Sequence, residues 1–160
     1  MSAVTFNVRH LEEKPLRLEG KLTPEELALD EADELVHPAG PLEYDLEVEK
    51  LEKAVLVQGE IRLPLKCECA RCLKPIQHTL SFPDWACHLP LEGEDAVRVD
   101  NDVVDLTPHI REDILLAFPQ HPLCEPECKG LPNPWKGAEN AEQQASNPSA
   151  WSELNKLKFN

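Results

Sequence analysis

The sequence predicts an α+β domain: an antiparallel β-sheet able to curl toward a barrel, one main packed helix, a short N-terminal helix and a flexible C-terminal tail. Three observations carry this prediction. Leu42, Tyr44, Leu46 and Val48 alternate with Glu43, Asp45, Glu47 and Glu49, the period of a strand with one face in a core and one in water. Val55, Val57, Ile61, Leu63 and Leu65 repeat the pattern, and Ile76, His78, Leu80 and Phe82 repeat it again after a turn at Ala70-Arg71, so the two strands form a hairpin. Thr107-Pro108 then opens a helix whose Ile110, Ile114, Ala117 and Phe118 share one face, and Pro119 ends it.

The remaining elements follow in order. Val4, Phe6 and Val8 alternate with Thr5, Asn7 and Arg9, which reads as a first short strand. At Thr23-Pro24-Glu25-Glu26 a capping box and a first-turn proline predict a helix running through Leu27 and Leu29 to about Leu35, where His37-Pro38-Ala39-Gly40-Pro41 breaks it. Gly59 marks a bulge or a close backbone approach, and Pro64 places part of its strand at a sheet edge. Trp85-Ala86-Cys87-His88-Leu89 is apolar enough for a further strand or a core-covering segment. Residues 91–102 read as an acidic loop with a short strand at Ala96-Val97-Arg98-Val99, and Leu106 is placed to staple against the helix that follows.

Domain organisation follows from where the pattern stops. Residues 1–136 form one domain, 137–147 a flexible linker poor in apolar periodicity, and 148–160 a short amphipathic helix with Trp151, Leu154 and Leu157 on one side, a face for binding a partner or for docking back on its own domain. No internal repeat is present at any period.

Charge narrows the function classes. The 160 residues carry 30 acidic and 16 basic side chains, a formal charge of -14. Non-specific affinity for phosphate backbones comes from Lys and Arg releasing counterions, so the balance argues against a general nucleic-acid binder. It suits a basic protein partner instead. Residues 12–60 hold 15 acids against 5 bases, and the row Glu43, Asp45, Glu47 and Glu49 is the first place such a partner would dock, although an acidic row of this kind is more often a solvated face. Nothing reads as a secretion signal or a membrane span, which predicts a cytoplasmic protein whose six cysteines sit in a reducing compartment.

There, paired cysteines more often hold metal than form disulfides. Cys69-Ala70-Arg71-Cys72 and Cys124-Glu125-Pro126-Glu127-Cys128 each put two sulfurs in a tight turn, and together they predict a four-thiolate zinc site with no open position, structural rather than catalytic, although four thiolates suit iron as well. With 51 residues between Cys72 and Cys124, the ion would cross-link hairpin to helix. Cys67 could replace Cys69 by spacing, His121 and His88 are substitute ligands, and Cys87 reads as a core thiol. The plainer alternative is four reduced thiols in turns without metal. There is no Gly-rich phosphate loop and no nucleophile elbow, while His109 and Asp113, one helical turn apart, are a spacing common on ordinary helix surfaces. No enzyme or small-molecule substrate is expected.

Cys69-Ala70-Arg71-Cys72-Leu73-Lys74-Pro75, then Asp105-Leu106, the helix from Ile110 to Pro119 and Cys124-Glu125-Pro126-Glu127-Cys128-Lys129-Gly130-Leu131 together resemble the YceD-like family of bacteria and plastids, the large ribosomal RNA subunit accumulation proteins. The resemblance spans roughly residues 40–131, with the segment Trp151 to Leu157 similar to the family's end. It implies a small non-catalytic factor for synthesis, processing or stability of large-subunit (23S) ribosomal RNA. Its acidity points to a ribosomal protein or assembly factor as partner, with RNA contact indirect or weak. Family members often carry two more cysteines after Cys-Lys-Gly-Leu. Here Pro132 and Trp135 stand in that region, so no metal site can use that pair. Two competing readings remain: a thiol-redox or thiol-sensor protein using Cys67, Cys69 and Cys72, and a direct RNA binder using Arg62, Lys66, Arg71 and Lys74.

Overall fold

Residues 3–132 are described by the computed structural model. The chain divides into two compact units, Met1–Gly130 and Leu131–Asn160, and only residues 131–132 of the second are described. The linker expected at 137–147 and the terminal helix at 148–160, with Trp151, Leu154 and Leu157, lie outside the described residues.

The first unit is mostly antiparallel sheet with one α-helix. Its strands are β1 (Thr5–Asn7), β2 (Leu16–Leu22), β3 (Val36–Pro38), β4 (Leu42–Lys50), β5 (Ala54–Glu68), β6 (Pro75–Pro90), β7 (Val99–Asp100) and β8 (Val103–Asp105), followed by α1 (Thr107–Ala117). β5 is the axis of the larger sheet, which curls into a half-barrel, so Pro64 is not at the edge expected of it: it stands opposite Thr79 of β6, and its carbonyl, on the other side, accepts from the Ala39 N–H. Along one edge β5 takes β6, from Ala54 opposite Pro90 to Glu68 opposite Pro75. Along the other it takes β4 over Val55–Arg62 and then β3 over Leu65–Cys67, with β2 outside β4. A smaller sheet orders β1-β8-β7.

Alternation explains these strands. In β5 every second residue from Val55 to Cys67, apart from Gly59, is buried, while Arg62 and Lys66 face water. Gly59 is the close approach expected of it: a Cβ there would overlap the Asp45 carbonyl oxygen and lie 2.8 Å from the Leu46 Cα. The ladder also shifts register here, with Gly59 opposite Trp85 and Ile61 opposite Phe82. The extra residue therefore belongs to β6, at Pro83-Asp84, and it moves the buried positions from Leu80 to Trp85 and Leu89. The segment Trp85-Leu89 is thus the second half of β6, beyond its bulge.

The N-terminal helix predicted from Thr23 to Leu35 is only one turn. Its capping box forms, with Thr23 N–H donating to Glu26 Oε2 at 2.8 Å and Glu26 N–H to Thr23 Oγ1 at 3.3 Å. Ala28 then adopts a φ of 49°, and the Leu29 and Ala28 amides donate back to the Pro24 and Glu25 carbonyls, the Schellman ending of a helix. The short helical element near the N-terminus is instead a 3-10 turn over Val8–Leu11, whose Asn7 side chain accepts from the Arg9 amide. It cuts the first predicted strand at Asn7. β2, β3 and β8 were not anticipated; β3 takes Val36–Pro38, where a helix break was expected. The expected strand at Ala96-Val99 contributes only Val99 to β7.

α1 begins as expected but is not capped by Thr107: Thr107 Oγ1 accepts from the Val4 amide at 3.1 Å, and Asp105 Oδ1 takes the Thr107 amide at 2.9 Å. Ile110, Ile114 and Phe118 enter the core beside Val4, Phe6, Leu27, Leu29 and the inner residues of β4 and β5, and Leu106 is fully buried. This packing fixes where the chain leaves α1.

Candidate metal centre

The first pair of cysteines sits where the β5–β6 ladder ends. Cys69 N–H donates to the Lys74 carbonyl and its own carbonyl accepts from Leu73 N–H, both at 2.9 Å, with Leu73 at a φ of 62°. The turn is held closed without its sulfurs. The second pair follows α1: Cys128 N–H donates to the Glu125 carbonyl at 3.1 Å, which bends Cys124-Cys128 into a turn of its own. Two bonds join the turns, from Ala70 N–H to the Pro122 carbonyl at 2.7 Å and from Arg71 Nη1 to the Cys128 carbonyl at 2.8 Å.

As a result, the sulfurs of Cys69, Cys72, Cys124 and Cys128 all lie within 4.8 Å of one another. The Sγ separations are 3.7 Å for Cys69–Cys128 and 3.5 Å for Cys72–Cys124. All six cysteines are free thiols. A tetrahedral ion with bonds of about 2.3 Å to sulfur needs sulfurs about 3.8 Å apart. The four sulfurs could hold one tetrahedral metal ion. Cys69 and Cys128 are buried, while Cys72 and Cys124 are partly open to solvent.

The thiols differ electrostatically. Burial works against the Cys69 thiolate, but amides of Cys124, Cys72 and Arg71 donate to it and outweigh that effect, bringing the thiol down to about 6. Cys124 moves the other way, to about 12, because it shares protons with Cys72 and Cys128. Such a set presents one ready thiolate held by amide dipoles, the chemistry of a soft-metal ligand.

The other candidates lie elsewhere. Cys67 is still in the ladder, opposite Ile76 and Val36, is 1% exposed, and its thiol is pushed up by burial. His121 is exposed, and His88 lies opposite Leu56 far down β6. Cys87 is half-buried, and burial pushes its thiol up as well. On the acidic row, Arg17 Nε donates to Asp45 Oδ1 at 2.9 Å and Lys21 Nζ sits 2.6 Å from Glu43 Oε1. These cations from β2 hold both carboxyls below the usual range. Glu47 and Glu49 face solvent. Of the basic cluster, Arg62 pairs with Glu60 and Arg71 is engaged at the Cys128 carbonyl.

Two contacts escaped the sequence. Trp85 Nε1 donates to Asp113 Oδ2 at 2.7 Å, tying α1 to β6 and occupying the carboxylate next to His109. Arg111 Nε donates to the Leu27 carbonyl at 2.9 Å. The Cys-x-Arg-Cys spacing itself signalled that Arg71 belongs to the site, but no pattern marks a tryptophan or arginine for a contact across 28 or 84 positions. Among the described residues no helix is long and apolar enough to cross a membrane.

Comparison with known proteins bears on the same segment. Uncharacterized proteins of Mycobacterium tuberculosis and Mycobacterium bovis are each 35% identical over 98 residues, covering 56% of this chain and 47% of theirs. The uncharacterized protein YlbN of Bacillus subtilis is 26% identical over 88 residues, 52% of this chain and 49% of its own. The chain spans about half the length of the curated relatives it matches. No solved structure matches. The family described as large ribosomal RNA subunit accumulation protein YceD matches residues 57–158, which include both cysteine turns, β6 and α1. The chain therefore belongs to the YceD family.

Proposed function

We propose that this chain is a non-catalytic ribosome-biogenesis factor that supports synthesis, processing or stability of large-subunit (23S) ribosomal RNA in the cytoplasm. Cys69, Cys72, Cys124 and Cys128 hold a structural zinc ion, and a basic ribosomal protein or assembly factor is the partner. The family's role in large-subunit RNA accumulation supports the process. The observation that carries the rest is the four-sulfur cluster inside the matched segment, at the junction of hairpin and helix. Four thiolates complete a tetrahedral shell, so the bound ion would add rigidity and offer no position for a substrate.

The partner surface is narrower than the sequence suggests. Glu43 and Asp45 are already satisfied by Lys21 and Arg17. Glu47 and Glu49 make no ion pair among the described residues and are the better contacts for a cationic partner.

The test couples metal to function. Protein purified without chelator should carry one zinc per chain, and free zinc a hundredfold above its dissociation constant stabilises a fold by about 2.7 kcal/mol. C69S and C128S should lose the ion and melt lower. In cells deprived of the chain, wild type should restore 23S RNA levels, C128S should restore them poorly, and E47K/E49K should fold but fail. Full restoration by both variants would refute the reading.

A redox reading has one observation in its favour, the 3.5 Å between the Cys72 and Cys124 sulfurs beside the depressed Cys69 thiol. It would run through that pair rather than through buried Cys67. In that case metal-free protein treated with glutathione disulfide should form a Cys72–Cys124 bond, releasing two reduced glutathiones, and reverse with dithiol.

A further inference from the structure

Among the described residues the larger sheet leaves β6 unpaired on one side of β5, and β2 and the short β3 unpaired on the other, and its two long edges are built differently. The directions of the backbone groups follow from a few bonds. Ala39 N–H donates to the Pro64 carbonyl at 2.8 Å, Glu68 N–H to the Leu35 carbonyl at 2.8 Å and Leu51 N–H to the Ala54 carbonyl at 2.8 Å. The even-numbered residues of β5 therefore turn their N–H and C=O groups toward β3 and β4, and the odd-numbered ones toward β6. The partners of the odd residues, Ile76, His78, Leu80 and Phe82, bond back to β5. Between them Gln77, Thr79 and Ser81 turn N–H and C=O outward.

Past the bulge the outer side of β6 is engaged at its far end, where the Pro90 carbonyl accepts from Val97 N–H at 2.7 Å, and the Trp85 side chain ties that half of the strand to α1. Ahead of it, no backbone group among the described residues bonds the outward groups. The core is also thin there. Opposite Ile61 and Cys67, each 1% exposed, Phe82 and Ile76 are only half-buried. The other open edge is blunted, because β2 turns Arg17, Glu19 and Lys21 outward. From Pro75 to Pro83 there is no acidic, lysine or arginine side chain at all.

We propose that this segment of β6 pairs antiparallel with the same segment of a second copy, about a two-fold axis at Thr79. The pattern is self-complementary on that axis. Thr79 meets Thr79 of the second copy, and Gln77 meets Ser81, each pair exchanging both backbone bonds. Ile76 meets Phe82, covering the thin flank of each core. Pro75 falls opposite Pro83, so the two residues that cannot donate an outward N–H close the ladder at either end. A foreign basic strand has no charge to meet on this segment, whereas two chains of -14 can approach here without opposing like charges in the ladder. Elsewhere the copies repel, and the contact is short, so the dimer is concentration-dependent and is strengthened by salt.

Sedimentation of the full chain over a range of concentrations, at low and high salt, tests this. The sedimentation coefficient should rise with concentration, more steeply in high salt. T79P deletes one outward donor without touching the β5 ladder, and T79K places like charges on the axis. Both should sediment as monomers while keeping the melting temperature of wild type diluted to its monomer. A wild type that stays monomeric overturns the proposal, whether the edge is covered by residues 133–160 or reserved for a foreign strand. So does a dimer that survives in both variants.

Discussion

Gly59 decides how closely β4 and β5 can cross. With the Asp45 carbonyl oxygen and the Leu46 Cα where a Cβ would stand, any side chain must push the two strands apart in the middle of their ladder. G59A should cost about 1–3 kcal/mol, the range for forcing an extra carbon into a packed site; an unchanged denaturant midpoint would contradict it. The sequence marked this glycine because it interrupts an alternating run. Alternation alone does not separate Cys67 from Cys69, since both fall on one face of the same strand; only the two-residue gap to Cys72 favours Cys69. The distinction lies in pairing: Cys67 still faces Ile76 in the ladder, while Cys69 is the first residue past its end, free to turn toward Pro122 and the second pair.

At the level of elements, the hairpin and α1 were readable because each repeats its period over several turns or pleats. The segment after Thr23 was not, although its start signal was correct. Leu27 and Leu29 are both fully buried two positions apart, which a continuing helix cannot arrange on one face, and Ala28 turns left-handed to allow it. Gly20, which leaves room for the Tyr44 ring where a Cβ would lie 2.6 Å from its oxygen, interrupts the alternation of Leu16, Leu18 and Leu22 and so hid β2. The Thr23 turn is held from outside by Arg111. R111M keeps the side chain's length but removes the donor to the Leu27 carbonyl, so it should cost about 1.5–3 kcal/mol, the worth of a hydrogen bond from a charged group. Faster amide exchange around Leu27 and Leu29 would locate the loss, and exchange unchanged there would rule it out.

For the molecule as a whole, the charge of -14 is unevenly spread, because β2 sets Arg17 and Lys21 against two carboxylates of β4 and leaves the excess to the other acids. No sequence period reveals this, since it depends on the register of two strands. Asp45 is lowered by its hydrogen bond to Arg17 and Glu43 by its bond to Lys21. Their contribution is therefore present above the ordinary carboxylate range and lost as pH falls through the lowered values. R17Q/K21Q should melt below wild type at neutral pH, and the two curves should converge in acid. A difference that persists there would mean the cations act through packing alone. The bonds from Ala70 to Pro122 and from Arg71 to Cys128 bear on something else again. Tension applied to the chain beyond Gly130 reaches Cys128 and the hairpin tip before α1. From there it runs along β5, loading the ladders on both its flanks in shear instead of peeling the helix away.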